Sequence, residues 1–430
     1  MREAFQRCYA LLRSGYTPKW NEGYPEYDSR IRAFVEAVHS DAICDYDYME
    51  HYERIREKAL NKLTYREVCT FLTFIVRGER FCSGHIANHI QDGVLAGLLE
   101  RYLELTATGR GVIASGIFGT AVADAVGVPA EFKSREELRA RPITDMIGGG
   151  AHQQVAGTWS DDTSMALCLA FSISEQNGVD ADDIMQRFCD WYEKGAYSPH
   201  GECFDIGMTV AKALRRYADG IPANECGGAG LQDNGNGSLM RILPLVYYLM
   251  ARCGGDFSAN DEAMRLIDLV SSLTHRHPIS RVACGIYLCI AARLLLGDAI
   301  PDAVQRGVDT ALDGYSSHDG YKAGHDCWTR IHDVAAFAAL PEDEIRSGGY
   351  VVDTLEAALW CLLNTDNYRD CVLKAVNLGS DTDTVAAVVG GLAGIHYGLD
   401  GIPSAWMDGL QGKKMLNDCC DALAASLNRR

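Results

Sequence analysis

Two stretches of this chain, Ala283–Leu296 and Val385–Ala393, are apolar on nearly every helical face. A helix of that kind has no side to turn toward water, so it has to be enclosed by other helices in the interior of a large domain. The same 3.6-residue periodicity runs through Met165–Glu175, Asp182–Lys194, Ile206–Arg216, Asp261–Leu273, Ser280–Leu296, Val351–Asn364 and Thr382–Tyr397, punctuated by Gly, Pro, Asn and Asp. Alternating strand patterns are scarce, and the expected fold class is all-α. A length of 430 residues with 47% hydrophobic and 23% charged residues suits a folded chain of this type.

Charge and cysteine content narrow the functions. The net charge of −18 repels phosphate backbones and anionic lipid surfaces, which disfavours a nucleic-acid or membrane-surface partner. Gly285–Leu296 comes nearest to a membrane span and is interrupted by Arg293. The 16 cysteines include no Cys-x-x-Cys pair and fall mainly in apolar helical contexts such as Cys168, Cys284, Cys289 and Cys361. That is the pattern of buried reduced thiols, and with no signal-peptide core at the N-terminus the expected location is cytoplasmic.

Residues 1–107 differ from the rest. They are charged and aromatic, with a turn-rich Trp20–Asp28, helical stretches over Ser29–Val38 and Tyr46–Leu60, and then Tyr65–Leu103, within which Arg77–Asp92 reads as an amphipathic helix pair. Thr106–Arg110 reads as a hinge, dividing an N-terminal helical extension (1–107) from a second domain (108–430). His85 and His89 lie one helical turn apart, but no further Cys or His pair accompanies them, so the spacing reads as structural.

The chemistry lies after residue 110. Ser160-Asp161-Asp162 and Asp381-Thr382-Asp383-Thr384 each open a strongly apolar helix, and Glu131 and Asp205 stand in two further Gly-bearing stretches. Helix capping would account for one such cluster. Two doublets of carboxylates at the mouths of buried helices need neutralisation, and Asp with interleaved Ser and Thr is a hard oxygen donor set for divalent ions. Two hard cations about 3.5–4 Å apart are a common arrangement for assisted hydrolysis.

From about Gly111 to Arg429 the chain resembles the ADP-ribosylglycohydrolase family. The resemblance rests on ordered motifs at Gly119–Glu131, Trp159–Met165, Phe204–Gly207, Asn234–Leu245, Thr274–Pro278, Tyr350–Glu356 and Asn377–Gly398. It implies an all-α catalytic domain with a binuclear Mg²⁺ or Mn²⁺ centre, acting on an ADP-ribosylated protein or an ADP-ribose derivative. Ser160, Asp161 and Asp162 would ligate metal from one side, and Asp381, Asp383 and Thr384 from the other. Glu131, Asp162 and Asp205 become the candidate catalytic carboxylates, with Asp205 beside the scissile bond. Asn234, Gly235, Gly237, Ser238 and Met240 would meet the diphosphate; His275, Gly349, Tyr350 and Ser380 complete the substrate-binding set. Arg241 reads either as part of that loop or as the partner of a carboxylate.

Three positions depart from the family pattern. Ala123 stands where Gly is common, Ser160 where Thr is usual, and Met208 where many relatives carry Asn. A thioether makes none of the hydrogen bonds of a carboxamide, which leaves the ADP-ribose acceptor open. The expected activity is release of ADP-ribose, with ADP-ribosyl-arginine on protein as the leading substrate. The competing readings are a non-catalytic, immunity-type protein that neutralises an ADP-ribosyltransferase, and a hydrolase of a nucleotide-like metabolite. Residues 1–107 are a cap, or a surface for a toxin or other protein partner.

Overall fold

Apolar helices surround one another throughout a computed structural model that describes residues 2–427 apart from 41–42, 256, 259, 317–320 and 322–325. Arg429, the end of the family resemblance, lies outside the described residues. The only sheet among the described residues is a hairpin pairing Lys19–Asn21 with Tyr24–Glu26. It forms inside the stretch expected to be turns, and Glu22 and Gly23, both at positive φ, close it. The chain divides into two compact units, one comprising 1–107 with 295–299 and the other 108–294 with 300–430.

In the first unit the helices Arg2–Arg13, Ser29–Val38, Tyr65–Gly78 and Val94–Thr106 enclose an aromatic centre. Phe5 stacks on Tyr102 with ring centroids 4.2 Å apart and meets Phe34 edge-on at 5.1 Å. Thr64 and Glu67 form a reciprocal capping box that starts the Tyr65–Gly78 helix. Of the helix pair expected over Arg77–Asp92, the first member is the end of Tyr65–Gly78 and the second is the short His85–Gln91, bounded by Gly84 and Gly93 at left-handed φ of 86° and 77°. The expected Tyr46–Leu60 helix is likewise shorter, ending at Ile55. Arg2 donates to the Leu295 carbonyl at 2.7 Å, one of the contacts that group 295–299 with this unit.

The second unit is organised on two helices, Arg110–Gly127 and Thr382–Tyr397. They approach so closely that a Cβ on Gly119 would overlap the Gly390 backbone. Ala123, the family departure, packs on Gly390 and so belongs to this contact. At one end of the pair, Thr382 Oγ1 donates to the Gly127 carbonyl at 2.8 Å, and a Cβ on Gly127 would stand 2.6 Å from the Thr382 carbonyl oxygen. The close fit is what brings the C-terminal end of one helix beside the acidic N-terminal turn of the other. Arg110–Ala130 and Pro278–Leu296 have the length and hydropathy of membrane spans, yet 89% and 94% of their apolar windows are buried within the fold. Their apolarity is that of core helices.

Candidate active site

Asp124 lies in the apolar Arg110–Gly127 helix and is fully buried. It accepts from the Ser160 N–H at 3.0 Å, Ser160 Oγ at 2.9 Å, the Thr163 N–H at 3.2 Å and Thr163 Oγ1 at 2.6 Å. A single carboxylate thus gathers the exposed donors at the start of the Asp161–Gln176 helix, and that fixes where Asp161 and Asp162 stand. Ser160 caps this helix, accepting from the Asp162 N–H at 3.4 Å. Capping therefore accounts for Ser160 and not for the aspartates behind it.

Asp162 is fully buried, and its two oxygens differ. Oδ2 lies 3.1 Å from Ser160 Oγ and accepts from Thr384 Oγ1 at 3.4 Å, whereas among the described residues Oδ1 has no hydrogen-bond partner. Asp124, Asp162 and Asp383 offer oxygens that lie within 4.8 Å of one another, and so do Glu131, Asp381 and Asp383. Asp381 occupies the N-cap position of Thr382–Tyr397 but makes no side-chain cap bond; its Oδ2 accepts from Asn236 Nδ2 at 2.7 Å. Buried oxygens with unfilled lone pairs, converging from three helix ends with hydroxyls between them, fit divalent cations. Asp161, Asp162, Asp383, Asp381, Ser160 and Thr384 would hold them.

Electrostatics lead to the same view. Burial, then repulsion from Asp205, Asp381, Asp161 and Asp124, pushes Glu131 up to about 9. Burial followed by neighbouring carboxylates holds Asp161, Asp162 and Asp383 well above the usual carboxylate range, and burial pushes Asp124 up to about 6. Such a cluster is neutralised either by protons or by cations. The linkage has a definite sign: Glu131 rises from 4.5 to about 9 on folding, so its contribution to stability is full below about 4.5 and is lost as pH climbs toward 9. Thermal unfolding in chelator is expected to show a lower midpoint at pH 8 than at pH 5, and Mn²⁺ is expected to raise the pH 8 value more than the pH 5 value.

Glu131 follows the short Val128–Ala130 turn and meets His152, with His152 Nε2 and Glu131 Oε2 hydrogen-bonded at 2.6 Å. His152 rides on the Gly148–Gly150 run, where Gly150 lies against the Pro129 backbone and leaves no room for a Cβ. Asp205 completes this side: an oxygen of Glu131, a ring nitrogen of His152 and an oxygen of Asp205 lie within 4.8 Å of one another. Phe132 and Ser380 are both non-glycine residues at positive φ, 67° and 69°. The Phe132 N–H donates to the Ser380 carbonyl and the Ser380 N–H to the Lys133 carbonyl, each at 2.8 Å. That double link ties Glu131 to Asp381 across the site, at a backbone cost of about 1–3 kcal/mol per residue.

The remaining expected residues divide between surface and support. Gly349 accepts from the Asn236 N–H at 3.1 Å, and Gly235 pairs with Tyr350, so the 234–237 and 348–350 loops form one wall beside Asp381. Asn234, Ser238, Met240 and His275 are buried behind that wall. The Asn234 side chain is taken up by the Leu231 carbonyl and Ser280. Ser238 accepts from Ser271. His275 shares a 2.8 Å hydrogen bond with Thr274 and packs under Gly235 and Gly237, so it shapes the loop from beneath. Burial lowers the His275 pKa to about 3, which keeps the imidazole neutral. Among the described residues Arg241 has no carboxylate partner. It donates to the Gly237 and Val270 carbonyls and to Thr274, and stands over the Phe188 ring. Met208 is 80% exposed in the first turn of the Met208–Ala218 helix, three residues beyond Asp205.

Three residues of this site escape a reading of motifs: Asp124, His152 and Asn236. The Gly148–Gly150 run was the available signal for His152, and Asp124 was visible only as a lone acid in an otherwise apolar helix.

Comparison with known proteins bears on the same region. The family model for ADP-ribosylglycohydrolase matches residues 107–430, and that of a family of unknown function (DUF6508) matches residues 20–108. An ADP-ribosylarginine hydrolase of Serratia proteamaculans is 34% identical over 71% of this chain and 77% of its own length. The ADP-ribosyl-[dinitrogen reductase] glycohydrolase of Rhodospirillum rubrum is 32% identical over 69% of this chain and 88% of its own. A solved structure titled as an ADP-ribosylglycohydrolase-related protein complex superposes with a TM-score of 0.59 at 30% identity, covering 74% of this chain and 98% of that one. From residue 107 onward, the chain belongs to the ADP-ribosylglycohydrolase family of hydrolases.

Proposed function

We propose that this chain hydrolyses the glycosidic bond of ADP-ribosylated arginine on protein, using two divalent cations, Mg²⁺ or Mn²⁺. The observation that carries the reading is the unpartnered, fully buried Oδ1 of Asp162 among Asp124 and Asp383, in a chain whose relatives include an ADP-ribosylarginine hydrolase. Bound there, the cations would supply charge neutralisation and Lewis-acid polarisation of ribose hydroxyls and a water. The wall formed by residues 234–237 and 348–350 would hold the diphosphate and orient the distal ribose over Asp381. With cations in place of the protons that otherwise neutralise the cluster, Glu131, held by His152, would be free to take a proton from the attacking water as its oxygen bonds to the anomeric carbon. The carbon–nitrogen bond breaks, and Asp205 gives a proton to the departing guanidine nitrogen. The products are free ADP-ribose and unmodified arginine.

The sixteen cysteines form no disulfide among the described residues, which suits a reducing, cytoplasmic setting. Residues 1–107 are proposed as a cap or protein-recognition module. The deciding assay is release of ADP-ribose from an ADP-ribosylarginine protein in Mg²⁺, in Mn²⁺ and in excess chelator. Release is expected to fall to background in chelator and to return on readdition of either metal. Undiminished turnover in chelator refutes the reading.

A further inference from the structure

Next to the carboxylates, His152 is flanked by two further aromatic rings. Asp381 touches Asn236 of the Gly-rich wall, Glu131 lies next to Asp381 and Asp383, and Glu131 also groups with His152 and Asp205. The His152 ring has Phe132 at 5.8 Å and Phe204 at 5.2 Å, tilted by 51° and 55°. Phe132 is 67% exposed and held at positive φ, while Phe204 is half-buried and immediately precedes Asp205. A large exposed aromatic held in a costly backbone conformation beside two carboxylates asks for a reason outside the packing of the core.

We propose that Phe132, His152 and Phe204 form the acceptor subsite and that it selects a planar cation, the guanidinium of arginine. The assignment deepens the functional reading above and rests on it for the direction in which the substrate lies. If the Gly-rich wall beside Asp381 takes the diphosphate, the leaving group falls toward the Glu131, His152 and Asp205 group and its neighbouring rings. A guanidinium offers two flat faces and a rim of N–H donors. Ring faces attract the former, and Glu131 and Asp205 accept from the latter. A hydroxyl acceptor gains nothing from the ring quadrupoles, and an anionic acceptor is disfavoured by the negative ring faces.

The test compares agmatine with N-carbamoylputrescine, which has the same shape but a neutral urea, in ligand-observed NMR titrations of the Mg²⁺-loaded full chain. Agmatine is expected to bind about tenfold more tightly. Phe204→Leu is expected to erase that preference and Phe204→Tyr to keep it, with thermal unfolding of each variant as the control for the fold. Equal binding of the two probes to the wild-type chain, or a preference that survives both Phe204→Leu and Phe132→Leu, overturns the proposal. A preference for agmatine in a chain that releases no ADP-ribose from arginine would sink the functional reading and leave the subsite standing.

Discussion

Asp162→Asn is expected to lower ADP-ribose release about a thousandfold while raising the unfolding midpoint of the metal-free chain by about 2 °C. The two effects have one origin. The Asp162 carboxylate is fully buried, one of its oxygens has no partner among the described residues, and burial plus the charges of Asp124, Asp161 and Asp381 hold its pKa well above the usual range. Asn has the same shape, and its carbonyl oxygen keeps the bond from Thr384. Its amide nitrogen then faces the other carboxylates as a donor, so one buried repulsion becomes an attraction. A cation site loses a hard anionic ligand by the same change. Opposed movements of activity and metal-free stability mark a group kept for function at the expense of stability. Differential scanning calorimetry in chelator, beside the release assay, reads both. A fall in stability equal to that of an ordinary core substitution would point to a structural role alone.

Asp124→Ala is expected to act in the opposite sense on stability. Four donors, two from Ser160 and two from Thr163, converge on this one buried carboxylate. Removing it leaves them without partners in the interior, a loss of about 3–5 kcal/mol and of about 5–10 °C in the midpoint. The N-terminal turn of the Asp161–Gln176 helix would no longer be pinned, so Mn²⁺ affinity is expected to fall along with stability, whereas Asp162→Asn separates the two. Asp124→Asn keeps one acceptor and is expected to fall between wild type and Ala. A midpoint for Asp124→Ala within 1 °C of wild type, by the same calorimetry, would contradict this anchoring role.

Much of this was legible in the sequence for a physical reason: helices apolar on all faces leave few alternatives to an all-α interior, and the extent of Ser29–Val38 follows from its Asp28 cap and periodicity, that of Thr382–Tyr397 from its periodicity and the Gly398 that ends it. The acidic doublets announced themselves through adjacency. Asp124 did not, because its partners lie 36 and 39 residues away and only the fold joins them. His152 sits in a Gly-rich loop with no periodicity to read, and its role follows only from Gly150 lying against Pro129. Burial of His275 and Ser238 beneath their loop was equally hidden, since a motif marks proximity to a site without telling wall from backing. The grouping of 295–299 with the N-terminal unit was hidden for the same reason, depending as it does on contacts such as Arg2 with Leu295 across nearly 300 positions.

If the buried carboxylates of this chain hold divalent cations, the ions can be counted. Electron paramagnetic resonance during a Mn²⁺ titration at pH 7.5 counts them directly. Uptake of two ions per chain, with less than one retained by Asp162→Asn, is the predicted result. A wild-type chain that binds no Mn²⁺, or an Asp162→Asn chain that binds it undiminished, would contradict the account.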